Sequence, residues 1–490
     1  MTTIQNFAPE LFDEIASQLS LRDQKSLRLV NKRVSSLTTP LLFSRVQIPN
    51  LRDPEWKVKS LEDLADSNNI GGSVAPWART VKFDAQYRCD EWELKVLNLL
   101  PQALARFTGA QVFKLWVHPD NPLWIYDCLF SALGGLPYIH EVCFQLGCPH
   151  LPHSQHGLLP FHHLERLEGL RSVKLSTGDL KNREFAEKAI LHPLRNFLTR
   201  SRISELSVVL GIHTSDVSLP SVQELLPTTI SHVKNLELSG FVMNMPTDTP
   251  FLHSLTSLGI KDFSEGGNLW NNLRANRIQL EKVAVVCSGL HNDEEMMVYL
   301  SSSSGLREFH LSFQHYQRFP RPDHHRIRTV DLFYKHVLSQ HRATLHTLNL
   351  IWPTSPLWCF RSVYGEALRA CRNLEVLGLI VEQEDILNSE STTLNELFTI
   401  AAGMPKLKLL CLNDLNYGQR DFRNLERTIR VTRIQAPLHR RAFPLYLQLK
   451  MPTEWVFQLR ELSGDIWTFR LVPLAPHTIG VEKFGVPGLA

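Results

Sequence analysis

Along much of the chain, hydrophobic and polar positions return to a six-residue pattern with apolar residues first, fourth and sixth. Val233-Lys234-Asn235-Leu236-Glu237-Leu238 and Leu345-His346-Thr347-Leu348-Asn349-Leu350 show it plainly. The clearest copies begin at Leu170, Ile203, Val233, Leu255, Leu280, Leu306, Leu345, Leu374 and Leu407, and weaker ones at Ala78, Ala110 and Ile139. The last two apolar positions alternate with polar ones, the period of a strand with one buried face. Helical period fills several of the intervals. Asn292-Asp293-Glu294-Glu295 opens one such segment as a capping box, and Thr393-Leu394-Asn395-Glu396 opens another carrying Leu394, Leu397, Phe398 and Ala401, which Gly403 and Pro405 end. A strand–helix unit of this size cannot bury its own apolar face, so stacked copies must supply the core. The expectation is successive parallel strands in one curved sheet with Leu236, Leu238, Leu348 and Leu350 buried; an ordinary parallel α/β sheet is the competing arrangement.

The first fifty residues have a different period. Pro9 and Glu10 lead into Leu11, Ile15 and Leu19, spaced as one face of an amphipathic helix, with Asp13 and Glu14 near its positive end. Ser20 is placed to cap a second helix carrying Leu27 and Val30. Val30, Val34, Leu37 and Leu41 form a third helical seam before the extended-looking 43–48. Three helices in so few residues make a small core, and modules of this size often need a partner to cover their apolar surface.

These residues carry a resemblance. Pro9-Glu10-Leu11 with Ile15, then Leu19, then Ser26-Leu27-Arg28-Leu29-Val30-Asn31-Lys32-Arg33, is similar to the F-box, especially of the fungal type, over about residues 5–48. The resemblance implies binding to the Skp-type adaptor of a cullin-based ubiquitin ligase, with Phe7, Pro9, Leu11, Ile15, Leu19, Leu27, Val30 and Val34 as contacts or their direct support. The repeats resemble the leucine-rich-repeat domains of F-box proteins. Their starts lie 22 to 39 residues apart, and Gly178, Phe241, Gln314, Pro353 or Glu382 stands where an Asn or Cys ladder is expected. The expected fold is therefore α/β: a three-helix F-box (1–50), an irregular leucine-rich-repeat-like solenoid with a parallel sheet (70–415) that makes longer excursions around 312–344, and a capping segment (416–490) with apolar runs at 443–449 and 466–472.

Composition narrows the function. The net charge of +3 spreads over 52 basic and 49 acidic residues, too balanced for a general grip on nucleic acid. The 8 cysteines form no CxxC pair, which fits a reducing compartment. The N-terminus lacks the basic and apolar regions of a secretory signal, and no apolar run suits a membrane span. A cytoplasmic or nuclear protein is expected.

Candidate chemistry is sparse. Phosphate-loop, dinucleotide, nucleophile-elbow and zinc-protease patterns are absent. Cys148, His150, His153, His156, His162 and His163 cluster, but prolines interrupt them and no paired Cys anchors the set, so the cluster is read as an exposed loop and no metal or cofactor is assigned. The basic insertion Arg318 to Arg328, with Arg321 and Arg326, suits an acidic or phosphorylated partner or simply a solvated loop. Between the buried strand positions, Lys174, Glu205, Glu237, Lys261, Lys282, Glu308, His310 and Asn349 should line the inner surface. Their mixed charge favours a protein partner over a polyanion, with solubilisation an equal reading. Target binding is accordingly expected at Lys261, Lys282, Glu308, His310, Arg321 and Arg326. The expected function is a non-catalytic substrate receptor that joins an unidentified protein target to a Skp adaptor and cullin scaffold; a non-ligase adaptor-binding scaffold and an α/β enzyme without a known motif are the alternatives.

Overall fold

The computed structural model describes residues 9–48, 54–84, 93–117, 123–146, 164–179, 186–211, 219–226, 232–263, 267–287, 293–313, 324–351, 356–382 and 392–415. Of these, 18, 20, 166, 247 and 248 are excepted; 183 and 385 are added, as is the backbone of 456–460, 466–475 and 478–483. Contacts divide the chain into two units, Met1–Phe241 and Val242–Ala490.

The first unit opens with α1 (Pro9–Ser17), α2 (Leu21–Arg28) and α3 (Lys32–Leu42). Pro9 stands at the start of α1, where its missing N–H has no partner to lose. Asn31 caps α3, its side chain accepting from the Val34 N–H at 2.9 Å. Gln24 ties α2 to the end of α1, its Nε2 donating to the Ala16 and Leu19 carbonyls. Val30 therefore precedes the third helix instead of joining its seam. The core comprises Phe12, Ala16 and Val34, with Leu27, Leu37 and Leu41 packed partly against it.

After α3 the chain enters a sheet. Strands β1 (Arg45–Ile48), β2 (Thr80–Asp84), β3 (Val112–Val117), β4 (Glu141–Leu146), β5 (Ser172–Asp179), β6 (Glu205–Gly211) and β7 (Asn235–Ser239) pair in chain order, all parallel. Between them run α4 (Pro54–Ala65), α5 (Ile70–Val74), α6 (Glu93–Ala105), α7 (Leu123–Leu133), α8 (His192–Arg200) and α9 (Val222–Leu225). Registers do not slip at the strand starts: Arg45, Thr80, Val112, Glu141, Ser172, Glu205 and Asn235 stand side by side.

The expected Asn ladder is missing, and a backbone ladder keeps the strand starts even. The carbonyl just before each strand accepts from two successive N–H groups of the next repeat, from Ser44 (donors Arg79 and Thr80) through Arg79, Gln111, His140 and Arg171 to Ser204 (donors Lys234 and Asn235). These bonds need no particular side chain, so connection length varies freely while strand starts stay aligned.

The second unit repeats the plan. Strands β8 (Ser257–Phe263), β9 (Lys282–Cys287), β10 (Glu308–Phe313), β11 (Thr347–Ile351), β12 (Val376–Glu382), β13 (Leu409–Leu415) and β14 (Val456–Arg460) are parallel in chain order, and β15 (Ile466–Ala475) and β16 (Thr478–Lys483) follow antiparallel. Helices α10 (Leu269–Ala275), α11 (Asp293–Ser302), α12 (His324–Leu332), α13 (Leu338–His341), α14 (Gly365–Ala370) and α15 (Thr392–Ala402) lie between strands. The excursion expected at 312–344 is largely helical: α12, a π-helical turn at Phe333–Val337 and α13 run on without a break. The greater irregularity lies one repeat later. The register of β11 with β12 runs from Thr347 and Val376 to Asn349 and Gly378, and the buried stretch Leu357 to Phe360 packs at the far end of β12, the Phe360 N–H donating to the Ile380 carbonyl at 2.8 Å.

Burial alternates along the strands. Val81, Phe83, Phe113, Leu115, Leu236, Leu238, Leu348 and Leu350 are buried, each contributing roughly 1.5–3 kcal/mol. The positions between them carry Lys82, Lys114, Glu237, Lys282 and Asn349, none of them buried. A doubly covered parallel sheet has continuous apolar strands. Here one face is packed and the other polar, as expected for stacked repeats; β12, with Gly378 and Ile380 also buried, departs most, and the small residues Ser172, Ser207 and Ser239 are buried on the polar face too.

Candidate functional site

On α1, the residues facing the small core are Phe12 and Ala16, one position beyond the expected seam. That turns Leu11 and Ile15 outward, 46% and 40% exposed. In the turn between α2 and α3, Leu29 and Val30 are 84% and 60% exposed. Exposing that much aliphatic surface in so small a module forfeits burial worth roughly 25 cal/mol per Å². Among the other nominated residues, Val34 is a core residue, Leu27 packs partly against the core and Leu19 is half-buried. Pro9 begins α1, and Phe7 lies outside the described residues. Leu29 was not singled out from the sequence, although its place in the apolar stretch beside Val30 was the available signal.

The polar sheet face is the second surface. In the first unit its third row reads Gln47, Lys82, Lys114, Cys143, Lys174, Ser207 and Glu237. Lys174 donates to Glu141 at 3.0 Å, and the Cys143 thiol donates to the same carboxylate at 3.2 Å. Burial raises the Glu141 carboxyl, but those two bonds and the nearby Lys114 charge outweigh it and hold the group below its ordinary value. Burial and the adjacent carboxylate push the Cys143 thiol up to about 12, which keeps it a protonated donor and not a nucleophile. Lys82 sits over the Trp116 ring at 5.7 Å. Ser207 donates to Glu237 at 2.7 Å.

In the second unit four of the expected target residues, Lys261, Lys282, Glu308 and His310, lie on the polar face. Lys282 and Glu308 are register neighbours and form an ion pair at 2.6 Å. His310 follows two positions on, its pKa lowered by burial and by the Lys282 charge while the Glu308 charge opposes the shift. Lys261 pairs in register with Val286 on the next strand. The Arg318 to Arg328 insertion is not wholly a loop: α12 begins at His324 and contains Arg326, and Arg328 pairs with Glu294 at 3.2 Å. Arg321, the Cys148 to His163 cluster, Ser20, Asn292 and the 443–449 run lie outside the described residues. Among the described residues no group of three His, Cys, Asp or Glu could hold a metal ion. No described helix is long and apolar enough to cross a membrane.

Comparison with protein-family models gives no match, and no curated protein matches. Among solved structures, the chain is similar to one described as the crystal structure of a TLR13-ssRNA13 complex, at 12% identity and a TM-score of 0.29, covering 73% of this chain. This chain spans 58% of the length of that one.

Proposed function

We propose that the chain is a substrate receptor of a Skp–cullin–F-box ubiquitin ligase. The N-terminal helices dock on the Skp-type adaptor, and a leucine-rich-repeat-like array holds a protein target, so that ubiquitin transfer gains from proximity. The chain itself catalyses nothing in this reading and uses no cofactor; it works in cytoplasm or nucleus. The observation that carries it is the outward aliphatic set Leu11, Ile15, Leu29 and Val30 around a core of three fully buried residues. The F-box resemblance of residues 5–48 says what covers that set, and the one-sided polar face of the sheet suits a protein target.

The test is affinity purification of the full chain beside a Leu11→Asp/Ile15→Asp variant. Both positions are exposed, so the fold should persist. A Skp-type adaptor and a cullin should leave with the variant while other partners stay. Undiminished adaptor in the variant would sink the assignment, and adaptor without cullin in the wild type would make the chain a non-ligase scaffold.

A further inference from the structure

We propose that the polar sheet face over β2 to β5 binds an acidic segment of a partner protein, gripped by Lys82, Lys114 and Lys174 beside Trp116. The purpose given to this surface rests on the substrate-receptor reading; its chemistry does not. Parallel register sets Lys82 directly beside Lys114. Neighbouring strands lie roughly 4.8 Å apart, and like charges side by side cost stability. Among the described residues, the ion pair on this part of the face joins Lys174 to Glu141 and leaves Lys82 and Lys114 outside it. Lys114 acts on Glu141 through space, while that carboxylate's hydrogen bonds go to Lys174 and Cys143.

The first, third and fifth rows of β1 to β5 carry the cations Arg45, Lys82, Lys114 and Lys174 and the carboxylates Asp84 and Glu141, four against two. Glu205 and Glu237 on β6 and β7 reverse the sign and bound the basic region. Trp116 is half-buried, and the Lys82 ammonium lies over its ring, which fixes that charge on the face. A partner bearing carboxylates would relieve the Lys82–Lys114 repulsion at no cost in a buried charge, since Lys114 is exposed. Carboxylate fits better than phosphate, because the third row holds ammonium groups and not the guanidinium forks that grip phosphate bidentately. Protein fits better than RNA, because carboxylates interrupt the patch and a single aromatic is too few to stack successive bases.

Fluorescence polarisation of a labelled oligoglutamate with the full chain tests this, with oligoglutamine and a single-stranded RNA as the comparison probes. Oligoglutamate should bind best and weaken with salt. Lys82→Gln/Lys114→Gln should weaken it by about tenfold or more. The same variant should melt close to wild type, because losing the like-charge pair offsets losing the Lys82–Trp116 contact and the Lys114 charge near Glu141; Lys82→Arg/Lys114→Arg should keep binding, and Lys282→Gln should not matter. Equal binding of oligoglutamine, wild-type affinity in the glutamine double variant, or tighter binding of RNA would each overturn the proposal. Leu11→Asp/Ile15→Asp should bind oligoglutamate normally, so failure of the adaptor reading and failure of this one give different results.

Discussion

His341 shows how much one side chain holds in this chain. It is 1% exposed, with its Nε2 2.8 Å from the Leu300 carbonyl and its Nδ1 3.4 Å from the Leu306 backbone nitrogen. Because the Leu306 N–H donates, Nδ1 must accept and Nε2–H must donate. The neutral tautomer alone satisfies both, and it clips the end of α11 to the residue that opens the next repeat. Burial lowers the His341 pKa from 6.5, the Leu300 bond opposing it, and burial lowers His310 in the same direction. Protons therefore bind the unfolded chain in preference as pH falls through the ordinary histidine range, and stability drops. The melting temperature should fall between neutral pH and about pH 5.5. His341→Gln, whose amide also donates and accepts, should flatten that dependence. His341→Ala should cost about 2–4 kcal/mol in chemical denaturation, since it leaves a void and an unpaired Leu306 N–H, the Leu300 carbonyl keeping only the Ser303 hydroxyl; a loss no larger than a surface substitution gives would show that the clip is idle.

At the scale of elements, two glycines with positive φ separate strain from crowding. Gly240 ends β7 at φ 78°, and a Cβ there would lie 2.6 Å from the Leu210 carbonyl oxygen on the neighbouring repeat. Gly305 leads towards β10 at φ 86° with nothing within 4 Å of that position. Gly305→Ala should cost about 1–2 kcal/mol from conformation alone, and Gly240→Ala clearly more, because backbone must move as well; equal losses in denaturant midpoint would refute the crowding. The strands were legible in the sequence. Each of the starts from Ala78 to Leu407 lies two residues before an observed strand, because buried alternation on one face is a strong, local signal. The antiparallel pair β15 and β16 was not foreseen as a hairpin, since apolar runs give no strand direction. The face of α1 was foreseen only as an amphipathic one: Phe12 and Ala16, not Leu11 and Ile15, meet α3, and which of two adjacent apolar stripes turns inward depends on packing that one helix does not encode. The Lys82–Lys114 pair was hidden for a related reason, because only register brings together residues thirty-two positions apart in the chain.

At the scale of the whole chain, the segment that resembles an F-box also supplies the first strand of the sheet. Arg45 to Ile48 pair residue for residue with Thr80 to Phe83, and the Ser44 carbonyl accepts from both the Arg79 and Thr80 N–H groups. Ile48 is 1% exposed, so β1 buries apolar surface as well as closing an edge. Removing residues 1–49 therefore does more than delete a docking module: it strips the β1 partners from β2 and moves the edge of the sheet from the four-residue β1 to the longer β2, a better template for pairing with another chain. Removing residues 1–42 leaves β1 and Ser44 in place. Nearest-neighbour stacking predicts that the shorter deletion keeps a cooperative melt and stays monomeric at concentrations where the longer one associates. Size-exclusion chromatography with light scattering, beside thermal melting of the two deletions, measures this. Equal oligomeric state and equal melting temperature would mean that β1 contributes nothing to the array, and that the helices and the sheet are separable at residue 49 after all.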